Sequence, residues 1–255
     1  MILLSKKKAF IRIEEVYFSD DYSYTSTADV IFLKYSPIAR SGGKVAYSLH
    51  LDLKNIDEDT IFQRMGKNTK YEINRAELRD NLSILLTCTP SDDEVNSFSL
   101  FYNKFAKNKK LSLCDNVLLH ELKKQNVLVL SNAKDETGNL LCCHAYIINK
   151  NEVRLLYSAS HFRMVEGNER RALIGRANRY LHWFDIKNFK NKGYDIYDFG
   201  GLTMTKGNSI DEFKFGFGGE VVEEYNAVRC NSVCGWLAVL WLRCKIFHIY
   251  HFLRK

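Results

Sequence analysis

Residues 192–219 read KGYDIYDFGGLTMTKGNSIDEFKFGFGG, and this stretch decides how the rest of the chain is taken. Tyr194, Ile196, Tyr197 and Phe199 make a β-type run that Gly200 and Gly201 stop, at a point where backbone can pass close to a ligand. Lys214 follows among Phe213, Phe215 and Phe217, an apolar setting in which an ammonium group is kept where something anionic meets it. The bland alternative is a strand, a turn and a surface lysine whose stem lies along apolar neighbours.

Outward from this stretch the pattern alternates between strand and helix. Upstream, residues 169–189 place Ala172, Leu173, Ala177, Tyr180, Leu181, Phe184 and Ile186 at helical spacing and end at Lys190, Lys192 and Gly193, which predicts a long helix. Before it, the apolar runs 126–131, 140–148 and 153–158 are joined by NAKDETGN and NKNE, which predicts an antiparallel meander. Residues 82–88 read as a strand, and Ser91, Asp92, Asp93 and Glu94 after Pro90 mark a helix start whose acids suit the positive end of the helix dipole, with helix through about Lys124. Residues 59–80 read as a basic helical segment broken near Gly66, and the first 55 residues as strands at 9–16, 30–35 and 45–53. Downstream, a short helix or turn over 211–217 leads to a last strand at 220–228.

Composition sets the class. The 255 residues are 46% apolar and 26% charged, ordinary for a globular chain and unlike a disordered tail or a fibre. A formal charge of +7 favours an anionic partner such as a phosphate-bearing substrate, RNA or an acidic lipid surface. The seven cysteines, at 88, 114, 142, 143, 230, 234 and 244, show no CxxC pair and no matching histidine spacing, so no metal site is expected and reduced buried thiols are. The start MILLSKKKAF lacks the order of a secretion signal, so the expected location is the cytoplasm. The tail 233–252 is apolar but interrupted by Arg243, Lys245 and His248. That fits an amphipathic helix packed on the protein or lying peripherally on the inner membrane face better than a spanning one.

The string RALIGRANRYLHWFDIKNFKNKGYDIYDFGG (171–201), followed by IDEFKFGFGGE (210–220), resembles the FemABX-like aminoacyltransferases of peptidoglycan bridges and the BioF2-like acyltransferase domains of the GNAT superfamily. FQRMGKNTKYEINRAE (62–77) resembles the family's basic helical motif, with Lys70 and Asn74 where arginine is expected. The resemblance covers about residues 60–228. It implies an α/β mixed-sheet, GNAT-like fold at 81–228 and a partial β-rich or GNAT-like subdomain at 1–80 carrying the basic segment, while the composition makes 229–255 an apolar helical tail. The resemblance also implies transfer of an acyl or aminoacyl group to an amine of a cell-envelope or glycan precursor, with no permanently bound cofactor. The donor it implies is an aminoacyl-tRNA or an acyl thioester on carrier protein or coenzyme A. The glycine-rich pyrophosphate loop of GNAT enzymes has no counterpart in SASHFRMVEGNERRA (158–172), where Arg163 and Gly167 are spaced one residue too far apart.

Acyl transfer needs a proton acceptor for the amine and a donor for the carbonyl oxygen as it turns negative. Splayed strand ends would set Tyr157, Ser158, Ser160, His161 and Arg163 opposite Tyr197 and Asp198. Asp198 and His161 are the candidate proton acceptors and Lys214 the candidate for phosphate or oxyanion. Gly200 and Gly201 would let backbone approach the substrate, and Lys70 and Arg75 are candidates for binding an anionic substrate. The serines lack a nucleophile elbow, which argues against a covalent serine mechanism. The competing class is a non-catalytic RNA-binding or scaffold module, which the basic segments suit but which lacks interleaved stacking aromatics.

Overall fold

The computed structural model describes residues 1–21, 23–39 and 42–241. In chain order the elements are β1 (Ile2–Lys8), β2 (Ile11–Tyr17), β3 (Val30–Ser36), β4 (Lys44–Asp52), α1 (Glu58–Arg64), α2 (Lys67–Arg79), β5 (Ser83–Thr87), α3 (Asp92–Lys109) and α4 (Asn116–Lys124). There follow β6 (Leu128–Lys134), β7 (Leu140–Asn149), β8 (Glu152–Ser160), a single 3-10 turn (Phe162–Met164), α5 (Asn168–Asn191), β9 (Ile196–Leu202), α6 (Ser209–Phe215) and β10 (Glu220–Cys230). Residues 233–241 are helical, and the rest of the apolar tail, 242–252, lies outside the described residues.

The chain forms two compact units, 1–47 with 223–255 and 48–222. Residues 48–80, expected to belong to an N-terminal subdomain, fall in the same unit as the meander and the long helix. In the smaller unit β1 and β2 are antiparallel, β2 and β3 parallel, and β3 and β10 antiparallel. The sequence reading began one strand at Ala9, but Ala9 has φ +54° and turns the chain between β1 and β2. β1 escaped notice because three consecutive lysines end it, although Ile2 and Leu4 point inward.

In the larger unit the strand order is β4-β9-β8-β7-β6-β5. β6 to β8 form the expected antiparallel meander, β5 adds to it antiparallel to β6, and β8 and β9 run parallel, as the α5 crossover requires. The core gathers Leu49, Leu51, Ile73, Tyr146 and Phe189 from sheet and helices and Phe217 from the turn after α6. α3 starts at a capping box in which Ser91 and Glu94 bond each other's backbone N–H, the local reason that the segment after Pro90 turns helical. Gly66 separates α1 from α2 and donates its N–H to Gly216 O at 2.9 Å, so the basic segment is pinned to the end of α6.

Candidate active site

β8 and β9 pair over only three residues, Glu152 with Ile196, Val153 with Tyr197 and Arg154 with Asp198. Past that point β8 continues to Ser160 and β9 to Leu202 without a partner in each other. Two local features part them. Tyr146 faces Leu155 and Ala145 faces Tyr157, so Leu156 is an extra residue that bulges β8. Gly200 has φ +72°, and a Cβ there would stand 2.8 Å from Leu155 O.

The last shared rung is an ion pair. Arg154 bonds the fully buried Asp198 carboxylate, which also accepts from the Ser48 hydroxyl and, at 2.7 Å, from Gly200 N–H. His50 Nε2 lies 3.6 Å from the same carboxylate. Burial alone would raise the Asp198 carboxyl, but Arg154, His50 and Ser48 hold it well below the usual carboxylate range. His50, Glu152 and Asp198 present ligand atoms within 4.8 Å of one another, a spacing that suits a cation, yet the Arg154 guanidinium already balances the Asp198 charge.

The parted strands open a cavity of about 490 Å³. Leu155, Ser158 and Ser160 of β8 and Phe199 of β9 form one part of its wall, and Gly175, Asn178, Arg179 and His182 of α5 another. Phe105 and Lys109 of α3, Phe162 and Arg163 after β8, and Ile210, Phe213 and Lys214 of α6 close it. Lys109, Arg163, Arg179 and Lys214 are cationic and no lining residue is acidic. Burial depresses Arg179, against an opposing pull from Glu72, and it depresses Lys109, where Arg163 adds repulsion. An anion would relieve that repulsion.

Lys214 Nζ donates to Gly200 O at 3.1 Å and Gly201 O at 2.6 Å, tying α6 to the end of β9. Asp211 fixes the intervening loop by accepting from the N–H groups of Thr203 and Met204. The Arg179 guanidinium lies 5.0 Å over the Phe213 ring.

The residues singled out in the sequence fall in several places. Ser158, Ser160, Arg163 and Lys214 wall the cavity, and the carbonyls of Gly200 and Gly201 are where Lys214 is anchored. Asp198 is on the shared rung rather than the wall. Tyr157 packs against Tyr102 and accepts from Asp115 N–H at 3.3 Å, and burial raises its phenol to about 12. His161 stacks on Phe101 with centroids 3.6 Å apart, its buried Nε2 has no hydrogen-bond partner, and burial lowers its basicity. Tyr197 is fully buried, with its hydroxyl bonded to Tyr146 and His182. Lys70 bonds Gln63, and Arg75 lines a separate open groove with Arg79 and Asn168.

Sequence reading passed over Asn178, Arg179 and His182. Their signal was there: with Gly175 they stand at i, i+3, i+4 and i+7 of a helix, a polar stripe beside the apolar one.

No protein-family profile matches the chain, and no curated protein sequence matches it. Solved structures do. FemX aligns over 88% of this chain and 83% of its own, with 12% identity and a TM-score of 0.63. The C-terminal domain assigned to a lysylphosphatidylglycerol synthetase of Agrobacterium fabrum aligns over 93% and 83%, with 10% identity and a TM-score of 0.58. L-PGS from Bacillus licheniformis aligns over 95% and 85%, with 12% identity and a TM-score of 0.54. The mixed α/β sheet fold that the sequence led us to expect is the fold observed, and FemX and L-PGS share it.

Proposed function

We propose that the chain is an acyltransferase that binds an anionic donor in the gap between β8 and β9 and moves its acyl or aminoacyl group to an amine. The observation that carries this reading is a cavity bounded by four cations and no carboxylate, opened where two parallel strands part. The cations suit phosphates of the donor, and the aromatic lining excludes water from the reacting carbonyl. Lys214 is our candidate for holding the donor's negative charge or the developing oxyanion, with Arg163 on the donor's phosphates and Ser158 and Ser160 donating to the substrate. The fold shared with FemX, together with the resemblance of the sequence to the aminoacyltransferases of peptidoglycan bridges, supports aminoacyl-tRNA as donor and an amino group of a cell-envelope precursor as acceptor.

A second donor, an acyl thioester on carrier protein or coenzyme A, is favoured by the apolar lining from Phe105, Leu155, Phe199, Ile210 and Phe213, which suits an acyl chain or a pantetheine arm. Among the described residues no helix is long and apolar enough to cross a membrane. Trp236, Leu237 and Trp241 of the tail are exposed, and peripheral contact there with a membrane-bound acceptor is part of this proposal.

The test offers the protein labelled aminoacyl-tRNA or labelled acyl-coenzyme A together with a UDP-linked peptidoglycan precursor peptide. Amine-dependent transfer of label that RNase abolishes identifies the first donor, and transfer indifferent to RNase the second. Consumption of neither, with tRNA still bound, would make the chain an RNA-binding module.

A further inference from the structure

Behind the cavity wall lies a fully buried polar chain that the transferase reading does not use. Asp185 Oδ2 accepts from Tyr146 OH at 2.6 Å and from Ser131 Oγ at 2.7 Å, and lies 2.9 Å from His144 Nδ1. Tyr146 OH is 2.9 Å from Tyr197 OH, and Tyr197 OH is 2.8 Å from His182 Nδ1. All five aromatic or acidic members, His144, Tyr146, His182, Asp185 and Tyr197, are buried.

Donor counting sets the direction of the links from Asp185 to His182 once the Tyr146 hydrogen goes to Asp185 at 2.6 Å rather than to His144 Nδ1 at 3.0 Å. A phenol has one hydrogen. That of Tyr146 goes to Asp185, so in the Tyr146–Tyr197 contact Tyr197 donates. The hydrogen of Tyr197 is then used, so in the last contact it accepts, and His182 Nδ1–H donates. Burial, followed by His144, Lys214 and Arg179, pushes the imidazole well below its ordinary basicity, so it stays neutral. A neutral ring that carries its hydrogen on Nδ1 has a lone pair on Nε2. His182 Nε2 has no hydrogen-bond partner among the described residues, and the ring is part of the cavity wall.

We propose that His182 Nε2 takes the proton of the attacking amine, in a tautomer imposed by the Tyr197–Tyr146–Asp185 chain. This rests on the transferase reading of the same cavity. The amine nitrogen bonds to the donor's carbonyl carbon and its proton passes to Nε2. As the carbon–oxygen or carbon–sulfur bond to the leaving group breaks, that proton passes to the departing oxygen or sulfur, and His182 returns to neutrality. While Nε2 holds the proton, Nδ1–H leans on a hydrogen-bonded line that ends in a carboxylate. Lys214 and Arg179 disfavour the protonated ring, so the proton is passed on rather than kept. His182 is the catalytic residue, whereas Tyr197, Tyr146 and Asp185 position it.

Nitrogen-15 NMR of histidine-labelled protein tests this without any substrate. His182, assigned by loss of its signals in His182→Gln, is expected to show a protonated Nδ1 and a bare Nε2 at pH 7, and Tyr197→Phe to abolish that preference. A proton on Nε2 in the unaltered protein would overturn the relay even if the protein transfers label. With aminoacyl-tRNA as donor, His182→Gln is expected to lower kcat at least 100-fold with little change in amine KM. Unchanged kcat would overturn its role as acceptor. Should the bare Nε2 be found in a protein that moves no label from either donor, the transferase reading falls and the proposed role falls with it.

Discussion

Lys214 sits at the tip of β9 because two carbonyls, Gly200 O and Gly201 O, hold its ammonium there. An ammonium so fixed can meet charge developing beside it without reorganising, which is what makes such groups effective in transfer reactions. Lys214→Met is therefore expected to lower kcat by about 100-fold or more. Turnover and the hydrogen exchange of the 201–204 amides would be read together, since a variant that only loosens the strand tip would speed exchange and leave kcat unchanged. Asp198 has a different position. Its carboxylate closes the last rung with Arg154, and Asp198→Asn leaves the buried guanidinium uncompensated, at a cost of roughly 3–5 kcal/mol by analogy with broken buried pairs. Urea unfolding measures this, and a loss below about 1 kcal/mol would mean that water reaches the rung. Lys214 stood out in the sequence because aromatics flank it. His182 did not, since it lies between Leu181 and Phe184 of the apolar helical pattern, and only the donor order of a chain assembled from β7, α5 and β9 singles it out.

The parting of β8 from β9 is a property of elements, made by a bulge on one strand and a left-handed glycine on the other. Gly200→Ala would force a Cβ to within 2.8 Å of Leu155 O at φ +72°, and we expect it to cost about 1–3 kcal/mol and to shift the tip of β9. Gly66→Ala is the control: its Cβ would meet Gly216 O at an ordinary 3.6 Å, so a change under about 0.5 kcal/mol is expected in the same unfolding measurement. The glycines at 200–201 were expected to stop the strand, whereas β9 runs through them to Leu202 and Gly200 only bends it, but the meander and the long helix were legible, because period-2 and period-3.6 patterns leave marks in one short window. The Leu156 bulge was not. A bulge is defined by the register of a partner strand, and register depends on the neighbour's backbone rather than on local composition.

At the scale of the whole molecule, charge is managed differently in the two units. In the smaller one Glu15 is ringed by Lys6, Lys34 and the Tyr17 hydroxyl. Burial would raise its carboxyl, but the two ammonium groups and the phenol lower it to about 2. An unfolded Glu titrates near 4.3, so a depressed folded value gives stability that is present above about pH 4.3 and lost as pH falls towards 2. Glu15→Gln is expected to flatten that part of the pH–stability curve, as followed by circular dichroism of acid unfolding, and an unchanged curve would show the cluster open to water.

In the larger unit the cations Lys109, Arg163, Arg179 and Lys214 converge on one cavity without acids among its lining, and the chain as a whole carries +7. Convergence of this kind has a thermodynamic signature, because each phosphate neutralised releases counterions that salt restores. If the four cations each meet a phosphate of a single-stranded end, a slope of about −0.7 per contact predicts that a fourfold rise in salt weakens tRNA binding about 50-fold. Fluorescence anisotropy of labelled tRNA between 50 and 200 mM salt measures the slope, and replacing Arg163 by Gln should reduce it by about one contact, or 0.7. An unaltered slope in that variant would place the bound phosphates somewhere other than the gap between β8 and β9.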